Sequence, residues 1–154
     1  MEKVHLSQQF ATIGFKIQLK FATVNVRGIN KSLKRRAIFR QLHTRRVSIA
    51  FLQETYSSKA QENICSAEWG GKIYFNHGSK HSKGVAILID PKLTVTVKKE
   101  IKSDDGRIII LETNIDDEIF VLVNIYAPNN IHAQQMVFEK LSEMHWNYAN
   151  SLIL

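Results

Sequence analysis

Residues 20–55 read KFATVNVRGINKSLKRRAIFRQLHTRRVSIAFLQET and predict a strand, a helix and a second strand in succession. The first strand is predicted from apolar side chains at every second position, with a shift of phase that indicates a β-bulge or burial on both faces. Its apolar residues before Gly28 are Ile13, Phe15, Ile17, Leu19, Phe21, Ala22, Val24 and Val26. Val47–Leu52 is a compact apolar run and predicts the second strand. Because a helical crossover returns the chain to the same end of a sheet, we expect the two strands to be parallel.

The predicted helix between these strands runs from Lys31 to His43, where no Gly or Pro interrupts the chain. Asn30 or Ser32 can provide its N-cap. The side chains expected to face the core are Leu33, Ala37, Ile38 and Leu42.

Short strands separated by turn residues follow Thr55 and indicate an antiparallel meander. They are predicted at Lys72–Phe75, Gly84–Ile89, Thr94–Lys98, Ile108–Asn114 and Ile119–Ile125. A second helix is predicted from one apolar stripe at helical spacing, formed by Ala133, Val137, Leu141, Met144 and Tyr148. Ser151–Leu154 then begins an apolar strand where another crossover would return to the sheet. The pattern predicts an α/β domain with a mixed sheet, or two packed sheets, covered by helices.

The composition is that of a globular protein, with 44% hydrophobic and 23% charged residues among 154. No apolar run approaches the roughly 20 residues of a membrane span, and the first twenty residues lack the apolar stretch of a secretory signal. Cys65 is the single cysteine, which excludes a disulfide scaffold and a cysteine-based zinc site. We therefore expect an intracellular location, with the nucleus as one candidate compartment.

The net charge of +7 is concentrated in one segment, residues 27–46, which contains no acidic residue. Its basic residues are Arg27, Lys31, Lys34, Arg35, Arg36, Arg40, Arg45 and Arg46. Such a run is either a solvated helix face or a surface that binds a polyanion. Charge alone does not decide between these two alternatives.

Three polar residues stand where predicted strands end. Asn25 lies near the end of the first strand, Glu54 follows the second, and Tyr126 follows the strand that ends at Ile125. Ligands gather beyond the carboxyl ends of strands that have parallel neighbours, and strands about 4.8 Å apart allow Asn25 and Glu54 to reach one ion or phosphate. Mg²⁺ suits such a site because it takes one or two protein oxygens and keeps its remaining waters.

Four strings occur in order along the chain and together carry a family resemblance: Val24–Asn30 (VNVRGIN), Phe51–Thr55 (FLQET), Lys83–Ile89 (KGVAILI) and Asn124–Asn129 (NIYAPN). They resemble the endonuclease domain of non-LTR (LINE-type) retrotransposons, which belongs to the endonuclease/exonuclease/phosphatase superfamily. The resemblance implies an incomplete four-layered α/β sandwich of the deoxyribonuclease I type, with two mixed sheets flanked by helices. It places the domain at residues 20–154, truncated at its C-terminal side, after an N-terminal extension at residues 1–19.

The resemblance also implies roles for individual residues. Glu54 matches the family's magnesium-binding glutamate, and Asn25 matches the asparagine that helps to hold the metal and the scissile phosphate. Tyr126 matches the tyrosine that hydrogen-bonds the phosphate, and Asn129 an asparagine beside it. These matches make Glu54, Asn25 and Tyr126 the expected catalytic residues, with Glu54 and Asn25 holding Mg²⁺.

Further nucleic-acid contacts are expected from basic residues near the same strings. Lys83 opens a strand and Arg107 lies in a turn, where each basic side chain would contact the DNA backbone. Arg27, which belongs to the basic segment, is expected to contribute as well. His77 and His81 flank Gly78 in a predicted loop without a third ligand, so no metal site is expected there.

The implied activity is Mg²⁺-dependent nicking of one DNA strand to prime reverse transcription, with DNA and the reverse transcriptase region of a parent polyprotein as partners. The family's Gly-Asp-Phe-Asn and Ser-Asp-His segments would lie beyond Leu154, so the chain is expected to lack turnover alone. The alternatives are another member of the superfamily, such as an apurinic-site repair nuclease or a phosphatase, and a non-catalytic basic nucleic-acid-binding remnant.

Overall fold

The computed structural model describes residues 6–13, 17–144 and 152–153. Over these residues the strands are β1 (Leu6–Ile13), β2 (Ile17–Asn25), β3 (Ile49–Gln53), β4 (Lys72–Asn76), β5 (Val85–Ile89), β6 (Val95–Lys102), β7 (Ile108–Ile115), β8 (Glu118–Ile125) and β9 (Leu152–Ile153). The helices are α1 (Ser32–Thr44), α2 (Glu62–Trp69) and α3 (Ile131–Glu143), and a short 3₁₀ turn at Lys59–Gln61 precedes α2. No helix in the described part of the chain is long and apolar enough to cross a membrane.

The first sheet has the strand order β1-β2-β3-β5-β4. β2 and β3 are parallel, with Asn25 opposite Gln53, as the strand–helix–strand pattern predicted. The other neighbours in this sheet are antiparallel. The prediction of one continuous strand from Ile13 was wrong, because Ile13 ends β1 and pairs with Ile17 at the start of β2. The predicted domain boundary at residues 19 and 20 falls inside β2 and stays a prediction.

The second sheet has the order β6-β7-β8-β9. The antiparallel meander was predicted for five strands but is present in β6, β7 and β8, because β4 and β5 join the first sheet instead. β9 lies parallel to β8, with Phe120 opposite Leu152, so a crossover returns the chain to this sheet as expected. Residues 151 and 154 of the predicted last strand lie outside the described residues.

Three apolar clusters define four layers. α1 and α2 cover one face of the first sheet, where Phe39 and Trp69 pack on Ala50 and Leu88. The opposite face packs against the second sheet through residues such as Ile87 and Ile109. α3 covers the outer face of the second sheet through Val137, Leu141 and Met144. The order helix, sheet, sheet, helix confirms the predicted α/β sandwich with two mixed sheets.

α1 lies one residue further along the chain than predicted and buries Ile38 and Leu42 as expected, but not the other two predicted core residues. Its buried residues are Arg35, Ile38, Phe39 and Leu42. Leu33 is 83% exposed and Ala37 is exposed as well, so their predicted core positions were wrong. Neither predicted cap is used, because the N-cap is Lys31 without a side-chain bond and the Asn30 amide donates to the Tyr56 carbonyl oxygen.

α2 was not predicted, because only two of its eight residues, Cys65 and Trp69, are buried. Gly70 ends this helix in the left-handed conformation at φ 80°, which glycine adopts without steric cost. α3 agrees with the predicted stripe, with Val137 buried and Asn130 capping the Ala133 amide. Tyr148, the last residue of that stripe, lies outside the described residues.

Candidate active site

The candidate site lies at one edge of the sandwich, where three strands end together. β2 ends at Asn25, Glu54 directly follows β3, and Tyr126 directly follows β8. β2 and β3 are parallel neighbours, so their carboxyl ends meet. The structure thereby brings Asn25 and Glu54 into contact, as the sequence predicted, with the Asn25 amide nitrogen 2.8 Å from Glu54 Oε1.

The turn that presents Glu54 is held in an uncommon backbone conformation. Glu54 and Tyr56 have φ angles of 54° and 52°, in the left-handed region that costs non-glycine residues energy. Backbone bonds fix the turn from both sides, since Gly28 donates to the Glu54 carbonyl oxygen at 2.7 Å and Thr55 donates to the Gly84 carbonyl oxygen at 3.0 Å. Gly84 is required here because a Cβ at this position would lie 2.4 Å from Thr55 Oγ1.

Both carboxylate oxygens of Glu54 accept hydrogen bonds. Asn25 donates to Oε1, and the Tyr56 hydroxyl donates to Oε2 at 2.6 Å. Burial pushes the pKa of Glu54 up, but the hydrogen bonds from Tyr56, Asn25 and Tyr126 and the positive charge of Arg27 outweigh it, so the pKa lies below its usual value. Glu54 is therefore ionised at neutral pH and is suited to bind a cation.

The two tyrosines at Glu54 remain protonated donors. The hydrogen bond to Glu54, followed by burial, raises the pKa of Tyr56 to about 12. Burial, followed by the charge of Glu54, also raises the pKa of Tyr126.

Arg107 stands over the Tyr126 ring, with its guanidinium carbon 5.5 Å from the ring centroid. The Nε atom of Arg107 lies 3.3 Å from Asp105 Oδ2. One nitrogen of Arg107, NH1, is buried without a hydrogen-bond partner among the described residues.

The other residues predicted to bind nucleic acid, Arg27, Lys83 and Asn129, differ in how they are connected to the Glu54 cluster. Arg27 is exposed, and its charge acts on Glu54; its amide donates to Asn25 Oδ1 at 3.3 Å. Lys83 is half-buried, and its carbonyl oxygen accepts from the Tyr56 amide. Asn129 is exposed beside the start of α3, and none of the described hydrogen bonds joins its side chain to the Glu54 cluster.

The basic segment is not a uniform polyanion-facing surface. Arg35 is only 2% exposed and makes two bonds to the Glu68 carboxylate, at 2.6 and 3.0 Å. It also donates to the Ile29 carbonyl oxygen, which ties α1 to the loop after β2. Arg36 is exposed and shares Glu68. Arg35 therefore belongs to the core, so neither alternative considered for the basic segment, a solvated face or a polyanion-binding surface, applies to it.

Sequence reasoning missed three polar residues that support the site. Tyr56 follows Glu54 by two residues, and its hydroxyl reaches back to Glu54 across the left-handed turn. Gln53 donates to Asn124 Oδ1 at 2.7 Å, across the gap between the sheets. The Asn124 amide in turn donates to the Leu52 and Ala86 carbonyl oxygens, both at 2.9 Å. A buried Asn inside an apolar strand was the signal for this bridge.

The donor chemistry fits a magnesium ion. Glu54 supplies an ionised carboxylate and Asn25 an amide oxygen, which are the hard oxygen ligands that Mg²⁺ prefers. No cluster of three or more His, Cys, Asp or Glu residues suited to a metal is found in the described part of the chain. A single carboxylate is consistent with Mg²⁺, which usually keeps several water ligands and also binds the phosphates of the substrate.

Comparison with known proteins gives the class to which this fold and site belong. The model of the endonuclease/exonuclease/phosphatase family matches residues 22–152, and the chain belongs to that family. A curated relative is the transposon TX1 uncharacterized 149 kDa protein of Xenopus laevis, 28% identical over 124 residues. The match covers 80% of this chain and 10% of that protein.

Solved structures support the fold. An AP endonuclease from Archaeoglobus fulgidus superposes with a TM-score of 0.56 at 24% identity, over 80% of this chain and 48% of that one. A humanized D. rerio TDP2 superposes with a TM-score of 0.61 at 15% identity, over 88% of this chain and 63% of that one. The chain thus spans between about half and two-thirds of these structures, and identities this low establish the fold alone.

Proposed function

We propose that this chain carries the metal-binding part of a LINE-type endonuclease domain that hydrolyses DNA phosphodiester bonds with Mg²⁺. The observation that supports this most is the Glu54 carboxylate, ionised and held by Asn25 and Tyr56 where two parallel strands end. The family membership and the transposon relative support the class of reaction and the biological setting. A reverse transcriptase region in the same polyprotein and an intracellular, nuclear site of action belong to the same proposal.

The chain's own residues have distinct tasks in this proposal. Glu54 and Asn25 hold Mg²⁺, which when bound supplies positive charge to the scissile phosphate. The Tyr126 hydroxyl donates a hydrogen bond to a phosphate oxygen, since its raised pKa keeps the hydroxyl protonated. Arg107 stacks on the Tyr126 ring and restricts its position.

The test begins with metal binding, read from terbium luminescence sensitised by the nearby tyrosines and competed with Mg²⁺. Glu54→Gln removes the charge but keeps the shape, and we expect it to weaken Tb³⁺ binding at least about tenfold. Glu118→Gln is the matched control, because Glu118 is exposed at the opposite end of β8. Equal Tb³⁺ affinity in the wild-type chain and Glu54→Gln would refute the proposed metal site.

Supercoiled plasmid and an abasic duplex then separate the candidate substrates, and they are given to the full parent protein, since the sequence predicts no turnover for this chain alone. Mg²⁺-dependent nicks in undamaged plasmid that leave an extendable 3′-hydroxyl and disappear in Glu54→Gln support the retrotransposon activity. Cleavage confined to the abasic duplex supports an apurinic-site nuclease instead. Nicking that survives in Glu54→Gln would show that the activity does not come from this site.

A further inference from the structure

A second polar chain lies directly behind the turn that presents Glu54. Glu62 Oε1 is 2.7 Å from His77 Nε2, and His77 Nδ1 is 2.9 Å from Ser57 Oγ. Ser57 Oγ is in turn 2.9 Å from Thr55 Oγ1. These four side chains connect the start of α2, the loop after β4 and the turn after β3 in one continuous path.

The chemistry of the groups fixes the direction of these hydrogen bonds. An ionised Glu62 only accepts, so His77 donates from Nε2, and a neutral ring then accepts at Nδ1 from the Ser57 hydroxyl. Ser57 has one proton to give, so Thr55 donates to Ser57.

The arrangement has the residue types of a Ser–His–Glu hydrolase but cannot serve as one. Ser57 is only 2% exposed and Thr55 is fully buried, so no substrate reaches either hydroxyl. The hydrogen-bonded path therefore has a structural role within the protein and not a role in catalysis at Ser57. It ends at Thr55, between the two left-handed residues Glu54 and Tyr56.

We infer that His77 is a positioning residue for Glu54, because its hydrogen bond with Ser57 anchors the strained turn through Thr55. A strained conformation persists only when its surroundings over-determine it. Backbone bonds from Thr55 to Gly84 and from Tyr56 to Lys83 hold one side of this turn, and the bond from Ile29 to Thr55 holds the other. The path adds a side-chain anchor beneath it. The role in metal binding rests on the function proposed above.

Two substitutions cut the path at different links. His77→Asn places an acceptor where Nδ1 stands and keeps the bond from Ser57. His77→Gln reaches Glu62 but abandons Ser57. We expect the Thr55 and Tyr56 amides to exchange hydrogen about tenfold faster in His77→Gln, because one typical hydrogen bond is lost. In His77→Asn their exchange rates should stay near those of the wild type. Ser57→Ala, which breaks the path without touching the ring, should match His77→Gln.

His81→Ala is the matched control, since His81 is exposed in the same loop and belongs to neither link. Unchanged exchange at Thr55 and Tyr56 in both His77→Gln and Ser57→Ala overturns the inference. Equal acceleration in His77→Asn and His77→Gln, or any in His81→Ala, also overturns it, because the effect would not depend on the Ser57 link.

Terbium binding supplies the second readout and separates the two proposals. We expect His77→Gln to weaken Tb³⁺ binding about tenfold, with His77→Asn restoring it, as for residues that orient a metal ligand. If Glu54→Gln leaves Tb³⁺ binding unchanged, the proposed metal site fails, while amide exchange still decides whether His77 holds the turn. If Glu54→Gln abolishes binding but His77→Gln does not weaken it, the positioning role is overturned.

Discussion

Arg35 is a cation whose surroundings make it part of the core. Its guanidinium is buried on α1 and receives two carboxylate contacts from Glu68, a residue 33 positions further along the chain. Removing one partner of a buried pair leaves the other charge without compensation, which is far more costly than losing an exposed pair. The position of this arginine in the sequence gave no hint of burial, because its acidic partner lies on a helix that the pattern did not reveal.

Arg35→Gln is therefore expected to lower the free energy of unfolding by about 3–5 kcal/mol, measured by urea denaturation. Arg36→Gln, in which an exposed arginine loses the same Glu68, should cost no more than about 1 kcal/mol. Equal losses in the two variants would contradict the core role of Arg35.

Because Glu68 is titratable, the stability that the Arg35–Glu68 pair contributes depends on pH. The hydrogen bond from Arg35 is the largest influence and lowers the pKa of Glu68 from its ordinary value of 4.5, with help from Arg36 and against burial. A lowered pKa in the folded state means that the stabilisation is complete above the ordinary value and is lost as pH falls through the folded value. The stability advantage of wild type over Glu68→Gln should thus shrink as the pH falls below the ordinary pKa of 4.5. An advantage that stays constant or grows on acidification would contradict this account.

At the level of the elements, α1 divides its charges between the core and the solvent. Arg35 faces inward, whereas Lys31, Arg36 and Arg40 are exposed on the same helix or at its cap. Lys34 reaches back to the Arg27 carbonyl oxygen at 2.9 Å, which places the first turn of α1 beside the candidate site. The exposed cations Lys31, Arg36 and Arg40 therefore form a smaller basic surface than the sequence suggested.

Lys31→Gln combined with Arg40→Gln is expected to weaken DNA binding and flatten its salt dependence. For every phosphate that the double variant no longer neutralises, the slope of log K against log salt should fall by about 0.9. Lys92→Gln with Lys98→Gln removes the same charge from exposed positions around the start of β6 and serves as the control. Fluorescence anisotropy with a labelled duplex between about 50 and 200 mM salt gives both slopes. Equal slopes in the two double variants would show that α1 is only a solvated face.

The sequence could predict those elements whose pattern of apolar residues matches the residues that the fold buries. β7 and β8 are apolar runs bounded by turn residues, and α3 carries a single apolar stripe. The contact between Asn25 and Glu54 followed from the parallel crossover. α2 and the inward position of Arg35 on α1 could not be predicted, because Trp69 and Arg35 are buried by tertiary contacts that leave no periodic pattern in the sequence.

In the whole molecule, the candidate site depends on how the two sheets meet. The layer between them is apolar at Ile49 and Phe120 but becomes polar towards the site, through Thr23, Gln53 and Asn124. Asn124 of the second sheet bonds to three groups of the first, and Gln53 directly precedes Glu54 in the chain. The spacing of the sheets and the position of Glu54 are therefore coupled through one buried amide.

Asn124→Leu keeps the approximate volume of this side chain but removes all three hydrogen bonds. The Leu52 and Ala86 carbonyl oxygens would each lose a buried hydrogen bond, at about 1–3 kcal/mol for each group left unsatisfied, whereas the Gln53 amide keeps its bond to Thr23. We expect the free energy of unfolding to fall by about 3 kcal/mol or more, and Tb³⁺ binding at Glu54 to weaken in the same variant. Asn114→Leu is the matched control, because Asn114 lies half-buried on β7 of the same sheet without a described bond to the first. Urea denaturation and terbium titration of both variants make the comparison. If Asn124→Leu loses stability but binds Tb³⁺ as wild type does, the bridge holds the sheets together without setting the position of Glu54.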